Sequence, residues 1–194
     1  MAKYTFGFIG TGHMGSALAR AARKNLNGDQ ILLSNRTPAK AEALAAELGC
    51  DTAPAARTAE TAEYIFLGVK PQMMAGLLAE LAPVLAARRD RFLLVSMAAG
   101  LTMDRLEELA GLRCPIIRVM PNTPCAVGAG VVLYDANDLV TAEELDRFAG
   151  LMAGAGLLDR LEERLMDAGS AVAEKDSAAA ECLYAPMRAK RLYG

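Results

Sequence analysis

The chain has 194 residues, of which 53% are hydrophobic, and a formal net charge of −2. That length holds one well-packed core, or one domain with an appendage, and that apolar content excludes a disordered chain. The charge argues against general nucleic-acid binding, and no apolar run reaches the length of a membrane span or of a secretory leader, so a cytoplasmic protein without nucleic-acid or membrane partners is expected.

The first element is the most informative. An apolar run, Tyr4 to Ile9, stops at a glycine-rich turn with Gly10, Gly12 and Gly15, and a helical pattern follows with Met14, Leu18, Ala21 and Ala22 on one face. Strand, tight turn and helix are the parts of a dinucleotide-binding βαβ unit. Gly10 serves the sharp turn, Gly12 leaves room for a pyrophosphate, and Gly15 lets the helix sit close to the strand. The helix start offers its free N–H groups and partial positive charge to the phosphates. A second strand is expected over 30–34, and a helix follows with Thr37 at its cap, Pro38 in its first position, Ala41, Leu44, Ala45 and Leu48 inward, and Gly49 at its end.

Further on, the pattern gives a short strand near 51–53, a buried strand over 64–69, a helix carrying Met74, Leu77, Leu78, Leu81 and Leu85, and a strand over 92–96. A short helix over 102–109, strands over 115–120 and 130–134, a helix over 141–153 and a last strand near 156–158 complete the series. Such alternation specifies a Rossmann-like, doubly wound and mainly parallel α/β sheet with flanking helices, whose ligands bind beyond the carboxyl ends of the strands. The polar and glycine-rich segments 10–15, 34–37, 68–72, 96–100 and 121–124 all follow strands. Where an NAD site usually carries a carboxylate after the second strand, this chain has Ser34, Asn35, Arg36 and Thr37. Arg36 suits a 2′-phosphate and the others add short donors, although Asn35 and Thr37 also fit a plain turn and cap. NADP(H) is therefore expected in preference to NAD(H). Cys50, Cys114, Cys125 and Cys182 stand singly and read as small buried or half-buried thiols. No acid–base set and no metal-ligand cluster stands out, so no catalytic residue is assigned. His13, the single histidine, lies in the glycine turn and reads as exposed or phosphate-touching.

Taken together, the segments 8–15, 34–36, Val69-Lys70-Pro71-Gln72, 96–100, 118–124, 128–130 and 166–168 resemble the pyrroline-5-carboxylate reductase family over residues 4–172, with 118–124 the most specific. The resemblance implies an N-terminal Rossmann domain that binds NAD(P)H, reduction of a small cyclic imine, 1-pyrroline-5-carboxylate, to L-proline, and a homo-oligomer. It implies that Gly10, Thr11, Gly12, His13, Met14, Gly15, Ser34, Asn35 and Arg36 contact the cofactor, with Val69, Lys70, Pro71 and Ala98 along it. Met120, Pro121, Asn122 and Thr123 would lie near the nicotinamide, with Asn122 bonding the carboxamide or positioning the ring. The division expected is a dinucleotide-binding domain over 1–160 and a truncated or aberrant helical tail over 161–194. That tail replaces the family's dimerisation domain, which carries the loop for the substrate carboxylate. Two other readings stay open: a non-catalytic NADP(H)-binding module, and a related Rossmann dehydrogenase of a small acid.

Overall fold

The computed structural model describes residues 2–166. Eight strands form one sheet: β1 (Tyr4–Ile9), β2 (Ile31–Ser34), β3 (Asp51–Thr52), β4 (Ala62–Leu67), β5 (Leu93–Ser96), β6 (Ile116–Pro121), β7 (Gly130–Ala136) and β8 (Gly156–Arg160). Their order is β3-β2-β1-β4-β5-β6-β7-β8. Among the described residues the sheet is flanked by the helices α1 (His13–Ala22), α2 (Pro38–Leu48), α3 (Ala55–Thr61), α4 (Pro71–Ala87), α5 (Met103–Ala110) and α6 (Ala142–Met152). From β3 across to β6 every pairing is parallel. β7 runs antiparallel to β6, with β8 parallel to β7. The β6–β7 link, residues 122–129, is too short for a crossover helix, so the chain must turn back.

Strand alternation sends side chains to two cores. On one face Phe6, Phe8, Tyr64 and Phe66 pack under α1, α2 and α6; Phe8 stacks on Phe66 at 4.2 Å between centroids, and Phe148 of α6 lies over the group. On the other face Ile9, Leu32, Ile65, Leu67 and Leu94 pack under α3, α4 and α5. A strand covered on both sides must be apolar throughout, which is why β1, β2, β4 and β5 read as continuous runs. No helix among the described residues is long and apolar enough to cross a membrane.

Some boundaries and one element differ from the sequence reading. α3 has no counterpart in it. Its buried residues are Thr58, Ala59 and Thr61, too small to make an apolar stripe, and the two threonine hydroxyls donate to the carbonyls of Pro54 and Arg57 one turn back. Small size is what lets α3 lie on β1, since a Cβ on Gly7 would come within 2.7 Å of Thr58. α4 begins at Pro71, before its first buried residue, because proline is preset for a first helical position. Thr37 occupies the cap position of α2, but its side chain makes no capping bond, a correction to the expected cap. Of the cysteines, Cys50 is half-buried and Cys114 and Cys125 are buried, all three free thiols. Residues 163–166 are helical. The expectations for 167–194, Cys182 among them, lie outside the described residues.

Candidate functional site

The direction of winding reverses between β1 and β4: from β1 the chain moves outward to β2 and β3, then returns to β4 and moves the other way through β5 and β6. At such a switch point the loops leaving neighbouring strands diverge and leave a crevice. Here Gly10 and Gly68 form its floor. Gly10 has φ 104°, where a side chain is strained, and a Cβ on it would strike the Gly68 carbonyl. Gly15 presses on the Gly10 carbonyl in the same way, so α1 seats directly against the turn. Around Gly12, by contrast, a Cβ would meet nothing within 4 Å. The first glycine thus makes the turn and the third the close packing, while the second stands open to the crevice.

The crevice is a cavity of about 980 Å³, lined by the turns after β1, β2 and β4, the Thr52–Ala55 segment and the cavity-facing side of α4. Gly10, Gly12, Ser34, Asn35, Arg36, Val69 and Lys70 line it. So do residues that the sequence reading did not assign to the site: Lys40 of α2, the Ala53–Ala55 turn, and Met73, Gly76 and Leu77 of α4. Arg36, Lys40 and Lys70 place three cations at the strand-end side, whereas Glu42 and Glu80 stand further along α2 and α4.

Helix starts give the same sign. α1, α2, α3 and α4 all begin on this cavity, where Gly12, Pro54 and Lys70 precede α1, α3 and α4 and Pro38 opens α2, and none has a side-chain cap or an acidic residue in its first turn. The N–H groups that every helix start leaves without an intrahelical acceptor, and the positive end of the helix dipole, are therefore not met by an internal carboxylate. α5 and α6 lie off the cavity and are capped. Thr102 accepts from the Arg105 N–H and Asp104 sits in the first turn of α5, and Thr141 with Glu144 forms a capping box on α6. Uncapped, acid-free helix starts converging on one crevice are a receptacle for an anion such as a diphosphate.

The polar side chains nearest the turn have defined partners. Asn35 Nδ2 donates to Thr11 Oγ1 at 2.8 Å, tying the β1 and β2 turns together, and Asn35 Oδ1 accepts from the Thr37 N–H at 3.2 Å. Asn35 thereby closes the turn ahead of α2, and Thr11 lies buried beneath it. His13 is exposed and Met14 half-buried at the head of α1, and Pro71 is exposed at the head of α4. Arg36 projects into solvent at the mouth.

The remaining predicted residues lie outside this cavity, on the same edge of the sheet but at the ends of β5 and β6. Ala98 is buried, and its N–H donates to Ser96 Oγ at 3.3 Å. Met120 and Pro121 end β6, half-buried, with Thr123 exposed. Asn122 Oδ1 accepts from the Val131 N–H at 2.9 Å. From the end of β2 to the end of β6 is four strand spacings, on the order of 19 Å. The predicted residues thus mark a track along one edge, from the cationic cavity to the proline-bearing bend. Near that bend, burial pushes the Cys125 thiol pKa up, which suits a packed, protonated thiol rather than a nucleophile.

Comparison with known proteins agrees with the fold. A family model described as NADP oxidoreductase, coenzyme F420-dependent, matches residues 5–100. A pyrroline-5-carboxylate reductase of Corynebacterium melassecola is 32% identical over 170 residues, covering 87% of this chain and 63% of that protein. The solved pyrroline-5-carboxylate reductase of Coxiella burnetii superposes with a TM-score of 0.81 at 25% identity, over 99% of this chain and 72% of that one. A Plasmodium falciparum pyrroline carboxylate reductase with NADP bound gives 0.73 at 25% identity, over 100% of this chain and 71% of that one. The chain spans a little under two thirds of the length of the first of these relatives. By fold, by strand-end motifs and by sequence, the chain is similar to the pyrroline-5-carboxylate reductases.

Proposed function

We propose that the chain binds NADP(H) along the carboxyl edge of its sheet and reduces 1-pyrroline-5-carboxylate to L-proline, the activity named for its relatives. The observation that carries the binding half is the switch-point cavity with four uncapped, acid-free helix starts. The diphosphate lies on the Gly10–Gly15 turn. The adenosine lies between Ala53–Ala55 and the Met73–Leu77 side of α4. Arg36, with Lys40 one helical turn beyond it, takes the 2′-phosphate. Thr11 and Asn35 serve that site by holding its two turns together.

The cofactor supplies the hydride when bound, so the protein's own task is placement. Residues 69–71 carry the track past β4, and Ala98 and the Met120–Thr123 bend form its far end. A proline at that end stiffens the wall on which a flat ring is held. The dinucleotide-binding unit is assigned to residues 1–160, and a cytoplasmic setting belongs to the same proposal.

The test is direct. The full chain is titrated with NADPH, following the reduced nicotinamide emission, and NADPH oxidation is then followed with pyrroline-5-carboxylate present. Saturable binding with imine-dependent oxidation is expected. Binding without oxidation would reduce the proposal to a nucleotide-binding module. A folded chain with no affinity for either nicotinamide nucleotide would overturn it.

A further inference from the structure

At the end of β6 the chain has to leave a ladder and enter a tight turn within one residue. Pro121 is paired in register with Val132 but has no N–H to give. The next residue, Asn122, donates its own N–H to the Val131 carbonyl at 3.2 Å, so the antiparallel pairing continues one step further. Its carbonyl is not free to complete that pair, because it accepts from the Cys125 N–H at 3.2 Å and so opens the 3₁₀ turn over Thr123–Val127. The Val131 N–H is then left facing the place where a backbone acceptor belongs. Asn122 Oδ1 stands there and accepts it at 2.9 Å. The Cys125 thiol donates to the same oxygen at 3.6 Å. The Val131 donor fixes which end of the amide faces the strand.

We propose that Asn122 is a positioning residue: its side-chain oxygen stands in for its own backbone carbonyl in the β6–β7 ladder, and so fixes the Met120–Thr123 bend. This rests on the reading above that the bend flanks the nicotinamide ring. The chemistry required of residue 122 is a short acceptor at Oδ1. The amide nitrogen is not part of the requirement, which separates this role from a direct bond to the carboxamide. Alanine removes the acceptor, and aspartate restores it.

Three readouts on the full chain decide the matter: affinity for adenosine 2′,5′-bisphosphate, which reports the cationic cavity alone; emission of bound NADPH, which reports the ring end; and hydrogen exchange at the Val131 amide in the nucleotide-free protein. For Asn122→Ala, bisphosphate affinity stays within about twofold, the emission gained on NADPH binding is lost, and Val131 exchanges about three- to tenfold faster, as loss of a hydrogen bond of ordinary strength requires. Asn122→Asp restores both the emission and the protection. The inference is overturned if aspartate fails as alanine does, or if alanine leaves emission and protection intact. Should the alanine variant not fold, the aspartate variant decides alone, because a direct amide contact predicts that it loses the emission. If the unmodified chain binds neither nucleotide, or binds NADPH without a change in emission, the reading under the proposed function falls and takes the ring-positioning role with it. Failure confined to the variants overturns this inference alone.

Discussion

Arg36 and Lys40 flank the mouth of the cavity from the end of the β2 turn and the first turn of α2, and both side chains are exposed. A cation in solvent gives little to stability, so its value here depends on a ligand. A charge-assisted bond to a phosphate contributes on the order of 1.5 kcal/mol, or about tenfold in affinity. Arg36→Ala and Lys40→Ala are each expected to weaken NADPH binding about tenfold while moving NADH affinity by less than about twofold. Nucleotide titrations of each variant check this; equal losses for NADPH and NADH would remove the residue from the 2′-phosphate position. The arginine was legible because it replaces a carboxylate at a known point of the βαβ unit. The lysine was not, because the sequence shows it only as one more polar residue on a helix. Asn35 shows the reverse limit. Its type suggested a ligand donor or a turn, and only the fold reveals that its amide is committed to Thr11 and the Thr37 N–H.

Among the elements, α6 shows how far local chemistry governs stability away from the cleft. Glu144 accepts from the Thr141 N–H at its cap and from Arg91 Nε and Nη2 at 2.6 and 2.8 Å. The Arg91 guanidinium holds the Glu144 carboxyl down to about 2 from an ordinary 4.5. A group depressed on folding stabilises above its unfolded pKa and loses that contribution as pH falls through its folded one, so the Glu144 contribution is complete above about pH 5 and fades toward pH 2. Glu144→Gln keeps a side chain able to cap but loses the ion pair. It should lower stability by about 1–2 kcal/mol at neutral pH, after allowing for the half-exposed arginine, and by little at about pH 2–3. Urea unfolding across that range checks it, and an equal loss at every pH would assign the effect to packing. α6 was legible because its cap and apolar stripe are both local. β6 and β7 were legible as strands, yet their opposite directions follow from the length of the link. α3 was hidden because it packs with threonine and alanine. The cavity wall formed by Ala53–Ala55 and Met73–Leu77 joins residues about twenty apart in sequence that meet only once the sheet is wound.

For the whole molecule the consequence is mechanical. The sheet consists of two windings joined at the β1–β4 pair, one carrying β2 and β3, the other β5 to β8. The cavity straddles that junction: Arg36 and Lys40 belong to the first winding, Val69, Lys70 and the wall of α4 to the second. A dinucleotide held by both would tie the halves across the seam, so its binding energy should appear as stability of the entire chain and not as local ordering of a loop. At a hundredfold excess over Kd that linkage amounts to about 2.7 kcal/mol, which for a chain of this size corresponds to a rise of about 5–10 °C in Tm. NADPH should give the full shift. NADH at the same concentration should give only a small part of it, about 0.4 kcal/mol, because the two charged contacts at the β2 end, about tenfold each, are lost while the diphosphate and adenosine contacts remain. Adenosine 2′,5′-bisphosphate should stabilise as well, since it reaches both the cationic mouth and the α4 wall. If inorganic phosphate at the same concentration as NADPH gave the NADPH shift, the effect would belong to anion binding at the helix starts, and the bridging role assigned to the cavity would be lost.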